Sequence, residues 1–280
     1  MNELPEAVLK PGREKSARRR HPWIFSGAIH AIAGVPAPGD TVRVLGASGE
    51  FIAYAAYSPE SQIRLRVWSF DEAERIDAGF FKRRLERAIA RIDSVHAGDP
   101  NRDVVDGEAQ PRELVYARRM TEMLDRFAPG ASEPVRLAVR CQHIRRWEIP
   151  RTSYPATPAG YKEWRSRLLM LHADAASGIL REAGYDENML TRVAKLLRKE
   201  GIKRDRDVQL LEDVAALVFL EYYLADFARQ HEGYDEAKLI DILRKTLRKM
   251  SPGGRRATQN LISVPAEVRP VLQQAVNRAL

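Results

Sequence analysis

The hydrophobic period of this chain changes once, near residue 80, and that change limits it to folds with a β-rich first part and a helical remainder. Before it, glycine and proline punctuate short segments of β-branched and aromatic residues, and Thr41–Leu45, Phe51–Tyr57 and Ile63–Phe70 read as strands. In Ile63-Arg64-Leu65-Arg66-Val67-Trp68 apolar residues alternate with arginines, the mark of a strand with one buried face. Pro38-Gly39-Asp40 and Ala47-Ser48-Gly49-Glu50 supply turns. After the change, Phe81, Leu85, Ala88, Ile89 and Ile92 recur at helical spacing, and similar patterns predict helices near 112–127, 133–147, 158–182, 187–199, 207–230 and 235–249. Ser132, Thr157 and Asp207 mark helix starts, while Gly184 and Gly201 mark stops. The polar stretch Gly98–Arg112 reads as a loop, and a short terminal helix follows Pro252-Gly253-Gly254. The expected fold class is α+β multidomain, with a small β-barrel over residues 1–80 and an all-α domain over residues 81–280.

Charge bears on partners. The net charge is +8, yet residues 1–80 hold 10 Lys+Arg against 10 Asp+Glu, so the whole surplus lies in the remainder. Such a balance suits either nucleic acid or arginines on solvated helix faces. No apolar run approaches the roughly 18 residues of a membrane span, so no membrane partner is expected. The first ten residues lack the basic-then-apolar layout of a secretory signal, and the single Cys141 can form no internal disulfide. A cytoplasmic location is expected. The sequence holds no C-x-x-C pair, P-loop, G-x-S-x-G or H-E-x-x-H.

The residues Leu9-Lys10-Pro11-Gly12-Arg13-Glu14-Lys15-Ser16, Arg19-Arg20-His21-Pro22-Trp23-Ile24-Phe25-Ser26-Gly27, Pro38-Gly39-Asp40 and Ala53 to Ile63 stand in register with one pattern. Over residues 5–88 this resembles the start of the large-subunit rRNA cytosine-5 methyltransferase I family. The resemblance implies a PUA domain, a compact β-barrel-like fold that positions RNA, and structured RNA, ribosomal or other, as the partner. Independently, Lys10, Arg13, Lys15, Arg18, Arg19 and Arg20 cluster beside His21 and Trp23, a combination suited to phosphate contacts and stacking on an unpaired base. The alternative for Trp23 and Phe25 is that both are buried anchors. That family continues into a doubly wound methyltransferase domain with a Gly-rich cofactor turn. No such layout follows residue 88, so neither methylation nor S-adenosylmethionine is expected of this chain.

A second resemblance covers residues 82–280. It rests on Asp99-Pro100-Asn101, Glu113-Leu114-Val115-Tyr116, Gln142-His143-Ile144-Arg145-Arg146-Trp147, Gly160-Tyr161, His172, Leu211-Glu212-Asp213-Val214 and Lys249-Met250-Ser251. These are similar to a helical family known only as domain of unknown function 4202, which implies no activity. The chain thus reads as a fusion of two modules. His143, His172 and Asp213 fall on or beside core-facing stripes, where ionisable groups are expensive unless paired or ligating. Two histidines and an acid on separate helices can build a divalent metal site, and their order resembles HD-type phosphohydrolases, with Glu113 or Tyr116 at the first ligand. The chain has no His-Asp doublet, however. The alternatives are a structural hydrogen-bond network, or a metal-free anion site from Arg145, Arg146, Arg151 and Lys199. Catalytic residues are not assigned. An RNA-binding protein with an accessory helical domain is expected first, and a metal-dependent phosphohydrolase acting on nucleotide or RNA second.

Overall fold

The computed structural model describes residues 4–231, 233 and 235–278. The chain divides into two compact units, Met1–Arg84 and Leu85–Leu280, so the division falls within the helix that follows the change of period. The first unit comprises β1 (Glu6–Leu9), α1 (Lys15–Arg18), β2 (Trp23–Phe25), β3 (Ile29–Ala33), β4 (Thr41–Leu45), β5 (Phe51–Tyr57) and β6 (Ile63–Ser69). The strands form one sheet in the order β2-β6-β5-β4-β1-β3, antiparallel except for the β1–β4 pair. Register follows the alternation: Leu65 is fully buried between Ile24 and Tyr57, while Arg64 and Arg66 keep contact with solvent. Register breaks at Val8/Leu9, Ile24/Phe25, Val44/Leu45 and Tyr54/Ala55. Such bulges add local twist. The sheet curls around Ala7, Leu9, Ile24, Val42, Val44 and Leu65 as a half-barrel whose edges are β2 and β3.

α2 (Ala78–His96) leads into the second unit. The stretch read as a loop is a hairpin, β7 (Arg102–Val105) and β8 (Glu108–Pro111). Its turn is Asp106-Gly107, both with positive φ (51° and 82°), the backbone that an Asp-Gly pair favours between strands. Then come α3 (Arg112–Phe127), α4 (Glu133–Cys141), α5 (Pro158–Glu182), α6 (Glu187–Leu197) and α7 (Arg206–Val218). After these, α8 (Leu224–Gln230), α9 (Glu236–Lys249), α10 (Pro252–Asn260) and α11 (Arg269–Asn277) complete the unit. Thr157, Asp186, Asp235 and Ser251 cap their helices through side-chain oxygens. α7 is capped by Asp205, not by Asp207 as the sequence suggests; Asp205 has extended backbone and accepts from the Asp207 N–H. The expected helix 207–230 is interrupted by a π turn at Phe219–Tyr223. Met120, Met123, Leu137, Leu180, Leu197 and Leu217 lie in the core, each contributing about 1.5–3 kcal/mol by burial.

Candidate nucleic-acid interface and a buried histidine cluster

The cationic cluster of the first unit is not uniform. Lys10 Nζ donates to the Gly27 carbonyl (3.1 Å), Arg18 is ion-paired with Glu50, and the Arg20 guanidinium lies 5.9 Å from the Phe70 ring centre. His21 sits edge-on to Trp23, and its Nδ1 accepts from the Trp23 backbone N–H at 3.2 Å. Arg13, Lys15 and Arg19 are exposed, with no carboxylate partner among the described residues. Arg13, Ser16, Ala17, Trp23, Phe25 and Gly27 line a cleft of about 300 Å³. The Trp23 indole N–H is buried with no acceptor among the described residues, and Phe25 is 51% exposed. Phe25 is therefore no buried anchor. The register break between Ile24 and Phe25 re-aims the strand at that point, buries Ile24, and leaves the Phe25 ring in solvent. The sequence does not separate the two aromatics, because alternate positions on a short strand carry no sign of a bulge between them.

In the second unit, α4 ends at Cys141, and the chain turns through left-handed backbone at His143 (φ 67°) and Arg145 (φ 56°). His143 thus stands in a strained turn rather than at a helix end, at about 1–3 kcal/mol for each such residue. Its ring stacks on Tyr116 with centroids 4.1 Å apart and an interplanar angle of 12°. Arg146 Nη1 lies 3.0 Å from Nδ1 and 3.1 Å from Nε2. A nitrogen equidistant from both ring nitrogens sits over the ring face, so His143 is sandwiched between phenol and guanidinium. Its Nδ1 is also 3.3 Å from Glu113 Oε2. His172, with its centroid 5.9 Å from that of His143, donates through Nδ1 to the Ile144 carbonyl (2.7 Å), leaving Nε2 its lone pair.

The electrostatics follow from burial. Desolvation pushes the Glu113 carboxyl up to about 7, against the pull of Arg146 and with a further push from Asp99. Burial first, then Arg146 and Lys199, hold His143 well below the usual imidazole range. Burial, then His143, lowers His172 to about 3. Burial also raises the Tyr116 hydroxyl. The Glu113 carboxyl, protonated up to about 7, thus stands beside an imidazole that burial keeps neutral. Asp99, absent from the sequence shortlist, is fully buried and accepts from the Glu113 backbone N–H (3.0 Å), fixing the first turn of α3.

The expected metal triad is not assembled. Asp213 Oδ1 accepts from the Ser251 backbone N–H (2.8 Å) and from Gln209 Nε2 (3.0 Å), while Oδ2 accepts from the Ser251 hydroxyl. Its carboxylate lies against Gly254, where a Cβ would meet it at 2.7 to 3.0 Å. Asp213 fastens the start of α10, since a helix N-terminus offers amide donors and a favourable dipole to a buried carboxylate. Among the described residues no group of three His, Cys, Asp or Glu side chains is placed to hold one metal ion. The four proposed anion ligands also have separate engagements. Arg151 donates to the Tyr154 and Pro155 carbonyls (2.9 and 2.8 Å). Lys199 is ion-paired with Glu212, and Arg145 faces Glu148 at 3.7 Å in solvent. Of the four, Arg146 alone lies on the histidine.

A half-barrel with an aromatic cleft lined in part by Arg13, followed by a helical unit with a histidine–carboxyl cluster, defines a two-module α+β protein. Residues 86–272, two thirds of the chain, match the model described as domain of unknown function (DUF4202), and the protein belongs to that family. Residues 7–70 match the PUA-like domain model. The N-terminal region is similar to proteins named ribosomal RNA large subunit methyltransferase I. That of Pseudoalteromonas translucida is 57% identical over 91 residues, 32% of this chain and 23% of that protein. That of Shewanella frigidimarina is 54% identical over 88 residues, 31% and 22% of the two chains. The chain therefore spans less than a quarter of the length of these relatives. Among the described residues no helix is long and apolar enough to cross a membrane.

Proposed function

We propose that the N-terminal unit binds structured RNA, holding an unpaired base at the Trp23–Phe25 cleft and adjacent phosphates on Arg13, Lys15 and Arg19. The observation that carries this reading is one cleft lined by Trp23, the exposed Phe25 and the cation Arg13, with the exposed Lys15 and Arg19 on the same short segment of chain. Aromatic faces take bases of any sequence. Similarity to the PUA-like model and to the N-terminal region of rRNA methyltransferases supports the same chemistry. The test is titration of the full chain with a fluorescent hairpin RNA bearing an unpaired loop. Arg13→Gln with Lys15→Gln and Arg19→Gln is expected to weaken binding and flatten its salt dependence by a slope of about two, at roughly 0.7 per phosphate contact. Phe25→Ala is expected to cost about 1–3 kcal/mol at unchanged salt slope, because stacking releases no counterion. Unaltered affinity in both variants, with intact circular dichroism, would reject the reading.

A second reading has the helical unit hydrolysing phosphorylated substrates, nucleotide or RNA. The 3.3 Å Glu113–His143 contact favours it, since cleavage of a phosphoester requires proton transfer to the leaving oxygen. Turnover of a phosphomonoester or RNA that survives in Glu113→Gln would exclude this pair from the chemistry.

A further inference from the structure

One cavity of the helical unit belongs neither to the histidine cluster nor to the N-terminal cleft. It is a groove of about 600 Å³ where the end of α3, the α6–α7 connection, the end of α9 and the start of α10 meet. Its lining carries five cations, Lys203, Arg204, Arg206, Arg248 and Arg255, against two carboxylates, Asp205 and Asp213. Neither carboxylate is available to those cations. Asp205 is ion-paired with Arg192 and Lys195 of α6, and both oxygens of Asp213 are taken by Ser251 and Gln209. Among the described residues Lys203, Arg204, Arg206 and Arg248 have no acidic partner, and all four are exposed. Lys203 is further held in left-handed backbone, φ 70°. Like charges gathered around one concavity repel one another, so the arrangement gains most from a polyvalent anion. The groove is not only charged, for Phe127, Leu210, Met250 and Pro252 supply apolar surface between the cations.

We propose that this groove is a nucleotide-binding site, with phosphates on Lys203, Arg204, Arg206 and Arg248 and a base against the Phe127–Leu210–Met250 surface. Arg255 is partly engaged, since its Nη1 donates to the Met250 carbonyl at 3.0 Å, and it frames the entrance rather than reaching out. The Ser251 and Gly254 amides at the start of α10 are already partnered by Asp213 and Ser251, so in this reading arginine side chains meet the anion. The same chemistry is offered by a free nucleotide and by one nucleotide of an RNA strand. The site lies wholly in the helical unit and does not rest on RNA binding by the N-terminal one.

The experiment uses the full chain and three probes: a nucleoside monophosphate, a 12-nucleotide unstructured RNA, and inorganic phosphate. Arg204→Gln with Arg206→Gln and Arg248→Gln is compared with the wild type and with the Arg13, Lys15, Arg19 triple variant. The groove variant is expected to bind the monophosphate or the 12-mer at least tenfold more weakly. Loss confined to the 12-mer identifies a strand; loss of both identifies a nucleotide from either source. In parallel, photo-crosslinking of wild-type protein to 4-thiouridine-containing RNA is expected to give adducts in peptides spanning 203–210 or 248–256. Equal affinity of the groove variant for both nucleotide probes, with adducts confined to residues before 85, overturns the proposal while leaving the N-terminal reading intact. Inorganic phosphate competing as strongly as the monophosphate overturns the base contact.

Discussion

Glu113 and His172 have opposite effects on stability as pH changes, because burial disfavours the charged form of each. Glu113 keeps its proton up to about 7 in the folded protein against an ordinary 4.5, so its contribution is full at low pH and is lost as pH rises through that window. His172 is lowered from 6.5 to about 3, so its contribution is full above 6.5 and is lost as pH falls. His143, held down by burial and Arg146, acts in the same sense as His172. Between pH 7 and 5 the carboxyl therefore offsets part of the acid sensitivity of the histidines. Glu113→Gln is expected to steepen the loss of stability on acidification, and His172→Gln to make it shallower, both read from urea midpoints at pH 7 and 5. Slopes identical to wild type would show that these groups titrate alike folded and unfolded. The histidines were legible in the sequence, since their positions on apolar stripes marked them as buried or nearly so. Glu113 and Tyr116 came within reach only through the resemblance, because the contact between the first turn of α3 and the turn after α4 joins segments with no shared periodicity.

At the scale of elements, what could be read was the period and what was lost were its interruptions. β4 and β5 fall where the alternation puts them, and α3, α5 and α9 end within a residue or so of the expected bounds. The β7–β8 hairpin was hidden by polar composition although Asp106-Gly107 announced it, and the π turn at Phe219–Tyr223 leaves no mark in the helical spacing. The spacing marks Asp213 as a costly buried acid but cannot show its partner, which is a helix start 38 residues further on. That partnership is testable. Removing the carboxylate by Asp213→Ala leaves the Ser251 N–H unpaired, at about 1–3 kcal/mol. Gly254→Ala drives a methyl to within 2.7 Å of the same carboxylate and is expected to destabilise by a comparable amount. Because the clash needs the carboxylate, the double variant is expected to lose less than the sum of the two, with a coupling of about 0.5–3 kcal/mol. Additive losses in a denaturant double-mutant cycle would mean that Asp213 does not anchor α10.

For the whole molecule, the division near residue 85 implies two cooperative systems rather than one. The apolar core of the first unit, around Val42, Val44, Ala53 and Leu65, and that of the second, around Met120, Leu137, Leu180 and Leu217, share no residue. Cooperativity in unfolding comes from mutual burial, so a void in one core is felt first by the elements that line it. Leu65 is the sharpest probe, because it is fully buried at the centre of the sheet and faces Ile24 on β2 and Tyr57 on β5. Leu65→Ala is expected to destabilise the first unit by about 2–5 kcal/mol, through lost transfer energy and the cavity left behind. The second unit owes Leu65 nothing and is expected to keep its melting temperature. Hydrogen exchange followed by mass spectrometry separates the two, with faster exchange expected in peptides from 41–69 and unchanged exchange in peptides from 112–127 and 206–218. Acceleration of equal size in both sets would show that the two cores unfold together, and the change of period at residue 80 would then mark a boundary of secondary structure only.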